Sequence, residues 1–171
     1  VLALGRQAPQ LAGMACAVAL ADILNKRGIE AVPVAANAPE ARAAAAFQRL
    51  GLTLPGARAS LAGQQVALAG PVEAFQAVPG LADATVTAAV DAAALAGLSA
   101  AEPQISWAWP TGCAATLIKA MYDFYGMEIS RGMAGGLLAA RLEETERLTP
   151  GKSTPADVAA VAADAGVPVR P

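Results

Sequence analysis

Val1-Leu2-Ala3-Leu4-Gly5, the run from Leu11 to Arg27, and the run from Ile29 to Ala35 together decide the fold. The first is a short apolar segment ending at a glycine, which predicts a strand. The second is rich in Ala, a residue that enters helices without side-chain entropy loss, and Gly28 stops it. The third reads as another strand, and Pro33 within it points to an edge position or a bulge, because proline donates no ladder hydrogen bond. A strand, a helix and a strand at this spacing make a βαβ unit. Such units build parallel sheets and place functional sites at the carboxyl ends of the strands.

The alternation continues. Pro39 to Leu50 is predicted as a helix closed by Gly51. Gln65 to Ala69 is a strand ending at Gly70, Pro71 to Ala77 a short helix, Pro79-Gly80 a turn, and Ala84 to Val90 a strand ending at Asp91. An Ala/Gly/Ser stretch reaches Gln104, and Ile105 to Trp109 is a further strand. The second half is more helical. Thr111 is placed to cap a helix from Gly112 to Tyr125, and Ser130 one from Arg131 to about Leu148. Thr154-Pro155-Ala156-Asp157 is a strong start for a last helix running to Gly166, with a capping Thr, Pro in the first turn and an acid at the third position. The expected fold class is α/β, a Rossmann-like, mostly parallel sheet with helices on both faces, in a single domain spanning 1–171.

Composition narrows the function classes. The 171 residues carry a net charge of −2 without like-charged blocks, which argues against nucleic acid and against a polybasic membrane surface. The apolar run from Ala12 to Leu24 contains Asp22 and does not read as a membrane span. The start lacks a basic region, so no signal peptide is expected, and the missing initiator Met suggests a processed chain or a fragment. Cys16 and Cys113 have no metal or redox spacing and read as small buried residues in a reducing cytoplasm. Aromatic residues are few, so Trp107, Trp109, Tyr122, Phe124 and Tyr125 stand out as a packing and interface cluster. The chain has no histidine, which rules out a Ser-His-Asp triad.

Pro110-Thr111-Gly112-Cys113-Ala114-Ala115-Thr116, Gly126-Met127-Glu128-Ile129-Ser130, Ala134-Gly135-Gly136-Leu137-Leu138 and Thr154-Pro155-Ala156-Asp157 follow one another in an order and spacing that resemble the amino-terminal domain of manganese-dependent (family II) inorganic pyrophosphatases, members of the DHH phosphoesterase superfamily. The first half is similar in order. Gly5-Arg6-Gln7-Ala8-Pro9-Gln10-Leu11-Ala12 stands where the family has Gly-His-x-x-Pro-Asp-x-Asp. Val66 to Gly70 stands where it has a strand ending in Asp-His, and Val90-Asp91-Ala92-Ala93 where it has Val-Asp-His-His. The resemblance implies a DHH-type domain, with the family's carboxyl-terminal substrate domain absent.

By this resemblance the family's metal ligands fall on Arg6, Gln10, Ala12, Gly70, Ala92 and Ala93. Only Asp91 keeps its ligand type, and Glu144, or Glu143 beside it, matches a further Asp. The family works through Mn²⁺ or Mg²⁺, which take carboxylates and imidazoles. The sequence therefore predicts no metal site and no cofactor, with Asp91 and Glu144 as catalytic remnants. The expected function is that of a pyrophosphatase-like pseudoenzyme in the cytoplasm, acting as an interaction or assembly module and pairing as a homodimer or with a protein partner. Trp107 and Trp109 on an exposed strand are the interface candidates. One alternative is a phosphate- or nucleotide-binding regulatory domain using Arg6, Thr111, Gly112, Cys113 and Lys152 around a helix amino terminus. Another is a hydrolase completed by a second chain. Asp91 is also read as a cap for a strand-end turn, and Arg141, Glu143, Glu144, Glu146 and Arg147 as solvated helix charges.

Overall fold

The computed structural model describes residues 1–5, 10–70, 75, 78–92 and 105–166. Among these residues, six parallel strands form one sheet in the order β3-β2-β1-β4-β5-β6. They are β1 (Leu2–Gly5), β2 (Val32–Ala35), β3 (Gly56–Ala57), β4 (Gln65–Ala69), β5 (Thr85–Asp91) and β6 (Ile105–Ala108). The helices are α1 (Leu11–Lys26), α2 (Ala41–Leu50), α3 (Ala114–Phe124), α4 (Arg131–Glu144) and α5 (Pro155–Asp164). Strand order reverses between β1 and β4, and in doubly wound sheets the crevice at such a switch point is where ligands bind.

The pleat divides the core. One face of the sheet, with Ala3, Ala35, Ala67, Ala69, Ala88 and Val90, packs against α1, α2, α3 and α4. The opposite face, with Leu2, Leu4, Val34, Val66, Leu68 and Val86, is covered by Leu61, Phe75 and Val78. Helix α1 is buried almost all round, between the sheet and α4, and its buried residues include Ala12, Ala15, Ala17, Ala19 and Ala21. Small side chains let the layers approach closely. A Cβ on Gly5 would lie 1.6 Å from the Gly13 carbonyl oxygen, so the end of β1 accepts only glycine against the first turn of α1.

Most elements fall where the sequence places them, and four details differ. β2 is not the edge: the two-residue β3, which has no sequence signal, pairs beyond it through Val34 and Ala35, leaving Pro33 outside that ladder. Helix α3 begins at Ala114 with Cys113 as its cap residue, not at Gly112 with Thr111. Helix α4 stops at Glu144 rather than near Leu148, because Glu146, Arg147 and Leu148 take left-handed backbone angles, φ 48°, 61° and 64°. Arg141 is not a solvated charge but fully buried. The last helix carries the predicted capping box, with Thr154 and Asp157 bonded reciprocally. The helix expected over Pro71 to Ala77 and the stretch from Ala93 to Gln104 fall mostly or wholly outside the described residues.

Candidate functional site

The carboxyl ends of β1, β4 and β5 lie side by side. Gly5 pairs with Ala69, Ala69 with Val90, and the Gly70 N–H donates to the Val90 carbonyl at 2.7 Å. This row places Gly5, Gly70, Asp91 and Ala92 side by side at the strand ends. Arg6 and Ala93 lie outside the described residues. Asp91 closes β5 with its side chain buried.

The end of α4 reaches the same rim. The Ala12 N–H donates to Glu143 Oε2 at 2.9 Å, although the two residues are 131 positions apart. No side chain of Gln10, the cap residue of α1, fills that role. A carboxylate here satisfies one of the helix's orphan donors and complements its dipole. Glu144, next along, lies close enough to Cys16 and Cys113 for its charge to act on both thiols. Burial, with Glu144 adding to it, pushes the Cys16 thiol well above its ordinary value. Burial likewise pushes Cys113 up to about 11, against the hydrogen bond with Thr116 that pulls it down. Both stay protonated near neutral pH, and neither is a nucleophile there.

Of the residues put forward for anion binding, Thr111, Gly112 and Lys152 already have partners, and Arg6 lies outside the described residues. The Gly112 N–H donates to Asp157 Oδ2 at 2.8 Å, and the Thr111 hydroxyl donates to the Cys113 carbonyl at 2.9 Å. The Lys152 ammonium pairs with Glu146. An internal carboxylate, Asp157, thus stands where an external anion was expected to meet the Gly112 N–H.

Asp157 is the centre of a network that sequence reading missed. Its carboxylate also accepts from the Thr154 N–H at 2.7 Å, the Thr154 hydroxyl at 2.8 Å and the Thr116 hydroxyl at 2.6 Å. Burial raises its pKa, but the bonds from Thr116, Thr154 and Gly112 outweigh that and hold it below the ordinary carboxylate range. Arg141 Nε donates to Thr116 Oγ1 at 3.2 Å and its Nη2 to the Ala115 carbonyl at 3.0 Å, while Nη1 forms an ion pair with Asp164. The capping signal at Thr154 named Asp157, but nothing local announced that Arg141, two residues before a pair of acids, would turn inward.

The interface candidates lie on the α3 side of β6. The Trp107 ring meets Phe124 edge-on at 5.4 Å and lies 6.2 Å from Tyr125. Trp109 follows the strand and is 57% exposed, and Phe124 is 72% exposed. Among the described strands, β6 is an edge.

No protein-family model matches the chain. Individual proteins do. A probable manganese-dependent inorganic pyrophosphatase of Shouchella clausii is 28% identical over 146 residues, 84% of this chain and 47% of that protein. The manganese-dependent inorganic pyrophosphatase of Bacillus subtilis is 28% identical over 162 residues, 94% of this chain and 52% of its own length. A probable manganese-dependent inorganic pyrophosphatase of Archaeoglobus fulgidus is 33% identical over 99 residues, 58% of this chain and 31% of that protein. The crystal structure of a Methanococcus jannaschii putative family II inorganic pyrophosphatase superposes with a TM-score of 0.82 at 23% identity, covering 98% of this chain and 56% of the other. The chain spans about half the length of the first two of these relatives.

These relatives overturn the expectation of no cofactor. Proteins similar over most of this chain are manganese-dependent by name, so a count of lost ligands does not make the chain metal-free. The described residues do not by themselves fit the ion, since no three His, Cys, Asp or Glu side chains among them are grouped to hold one. The fold, the order of the strand-end motifs and the similar proteins agree: this chain is a low-identity homologue of the manganese-dependent (family II) inorganic pyrophosphatases over their amino-terminal domain.

Proposed function

We propose that this chain is a family II pyrophosphatase-like domain that has given up hydrolysis and serves as an interaction or assembly module, in the first instance pairing with a second copy of itself. The observation that supports the loss of hydrolysis is the row of strand ends at the switch point. Gly5, Gly70 and Ala92 offer no side chain that binds a hard cation or moves a proton, which leaves Asp91. The nearby Glu143 carboxylate is engaged with the α1 amino terminus.

Pyrophosphate is the substrate to test because it is the one named for the relatives, and Mn²⁺ is included because they depend on it. Phosphate release with Mn²⁺ or Mg²⁺ is expected to stay at background. Metal-dependent release that disappears in Asp91→Ala would overturn the proposal and favour a working hydrolase.

The assembly reading is supported by the edge position of β6 and the aromatic cluster beside it. An open parallel edge carries unpaired backbone groups, and exposed rings next to it add apolar area. Analytical ultracentrifugation is expected to show a dimer that weakens at least tenfold in Trp109→Ser. A monomer across the accessible concentration range would remove this reading.

A further inference from the structure

Helix α5 is attached to the body in an unusual way. Only Asp157 among its residues is fully buried, and Val158 is 48% exposed. Two carboxylates hold it. At its start Asp157 binds Gly112, Thr116 and its own cap residue, Thr154. At its end the Asp164 side chain, 1% exposed, pairs with the wholly buried Arg141 guanidinium. Apolar burial, which drives most helix docking, contributes little here. A buried ion pair is a poor substitute, since desolvation of both charges offsets their attraction.

Three further observations bear on the same helix. Asp164 Oδ1 is buried without a hydrogen-bond partner among the described residues, so docking leaves a polar atom unsatisfied. A groove of about 340 Å³ lies where α3 and α5 meet, lined by Trp109, Leu117, Ala120, Ala156, Ala160 and Ala163, with the α5 alanines too short to fill it. The connection into α5 runs through Glu146, Arg147 and Leu148, three successive non-glycine residues in the left-handed region, held by the Leu148 N–H donating to the Thr145 hydroxyl oxygen at 3.0 Å.

We infer that α5 is a strap that undocks from α3 and α4 as one unit, swinging on the left-handed turn at 146–148, and that its release uncovers Arg141, Thr116 and the α3 face of the groove. The docked state combines polar clips, an unsatisfied oxygen, a poorly filled contact and a strained hinge. The last three favour release while the clips alone hold the helix, and none involves the strand ends, so the inference does not rest on the function proposed above.

Hydrogen exchange followed by mass spectrometry on the intact chain tests it. The hydrogen-bonded amides of 159–164 are expected to share one opening equilibrium, at least tenfold more frequent than that of β4 and α1. In the double variant R141M/D164L, an apolar pair at the clip, α5 exchange is expected to slow at least tenfold with β4 unchanged. Should that variant fail to fold, Arg147→Gly relaxes the hinge in the docked state and is expected to slow α5 exchange severalfold. Exchange of α5 in step with β4 would overturn the proposal. So would protection graded from the last residue inward, the pattern of simple fraying, or an Arg147→Gly chain whose α5 exchanges as in the wild type.

Discussion

Asp157 and Gly112 show how one residue constrains another 45 positions away. A Cβ on Gly112 would meet Asp157 Oδ2 at 2.7 Å and the Lys152 carbonyl at 2.5 Å, neither of which can move freely. Gly112→Ala is therefore expected to destabilise the fold by about 1–3 kcal/mol, read from the denaturation midpoint. Asp157→Asn keeps the shape but loses acceptor capacity toward four donors, and a loss of about 2 kcal/mol is expected. The two also differ in pH dependence. The folded Asp157 carboxyl lies below its unfolded value, so its contribution is complete above about pH 4 and is lost as the pH falls through the folded pKa. The wild type should lose stability over that acid range, and Asp157→Asn should lose less. For the two cysteines, burial and a thiol held protonated predict that neither Cys16 nor Cys113 reacts with iodoacetamide at neutral pH until the chain is unfolded.

At the level of elements, the strand and helix pattern was legible because the chain punctuates it. Gly28 and Gly51 end α1 and α2, Ser130 accepts the Met133 N–H at the start of α4, and Thr154 with Asp157 opens α5. What escaped is what local sequence does not encode. The left-handed turn after α4 contains no glycine, and Arg141 reaches inward to Asp164, 23 residues later, which no helical spacing reveals. Each of the three turn residues costs on the order of 1–2 kcal/mol relative to a right-handed backbone. Arg147→Gly should recover about 1 kcal/mol in a thermal or urea melt, whereas an alanine there should not. The buried ion pair predicts an asymmetry. Arg141→Met alone should cost about 3–5 kcal/mol, by stranding Asp164, while replacing both partners by apolar residues should stabilise the fold by about 1–2 kcal/mol.

Across the whole molecule, the parallel sheet followed from the alternation of strands and helices, its strand order and switch point emerged only in the structure, and the family resemblance supplied addresses for the site. The two-residue β3 could not have been foreseen, because Gly56-Ala57 has neither β-branching nor alternation. The contacts at the strand ends were not legible in the sequence. That Glu143 would reach the Ala12 N–H depended on how closely α4 lies over α1. That closeness is set by alanine. Ala67→Leu, at the centre of the face beneath α1, is expected to cost about 1–3 kcal/mol, because layers this near cannot part for a larger side chain. Alanine has a further consequence. Ala12, Ala15, Ala17, Ala19 and Ala21 of α1 have no χ angle to exchange, so much of the surface between sheet and α4 has a single arrangement of its atoms. Rotamer hopping, by which ordinary cores breathe and hand small displacements from one layer to the next, has little to act on there. The centre of this protein is thus mechanically quiet.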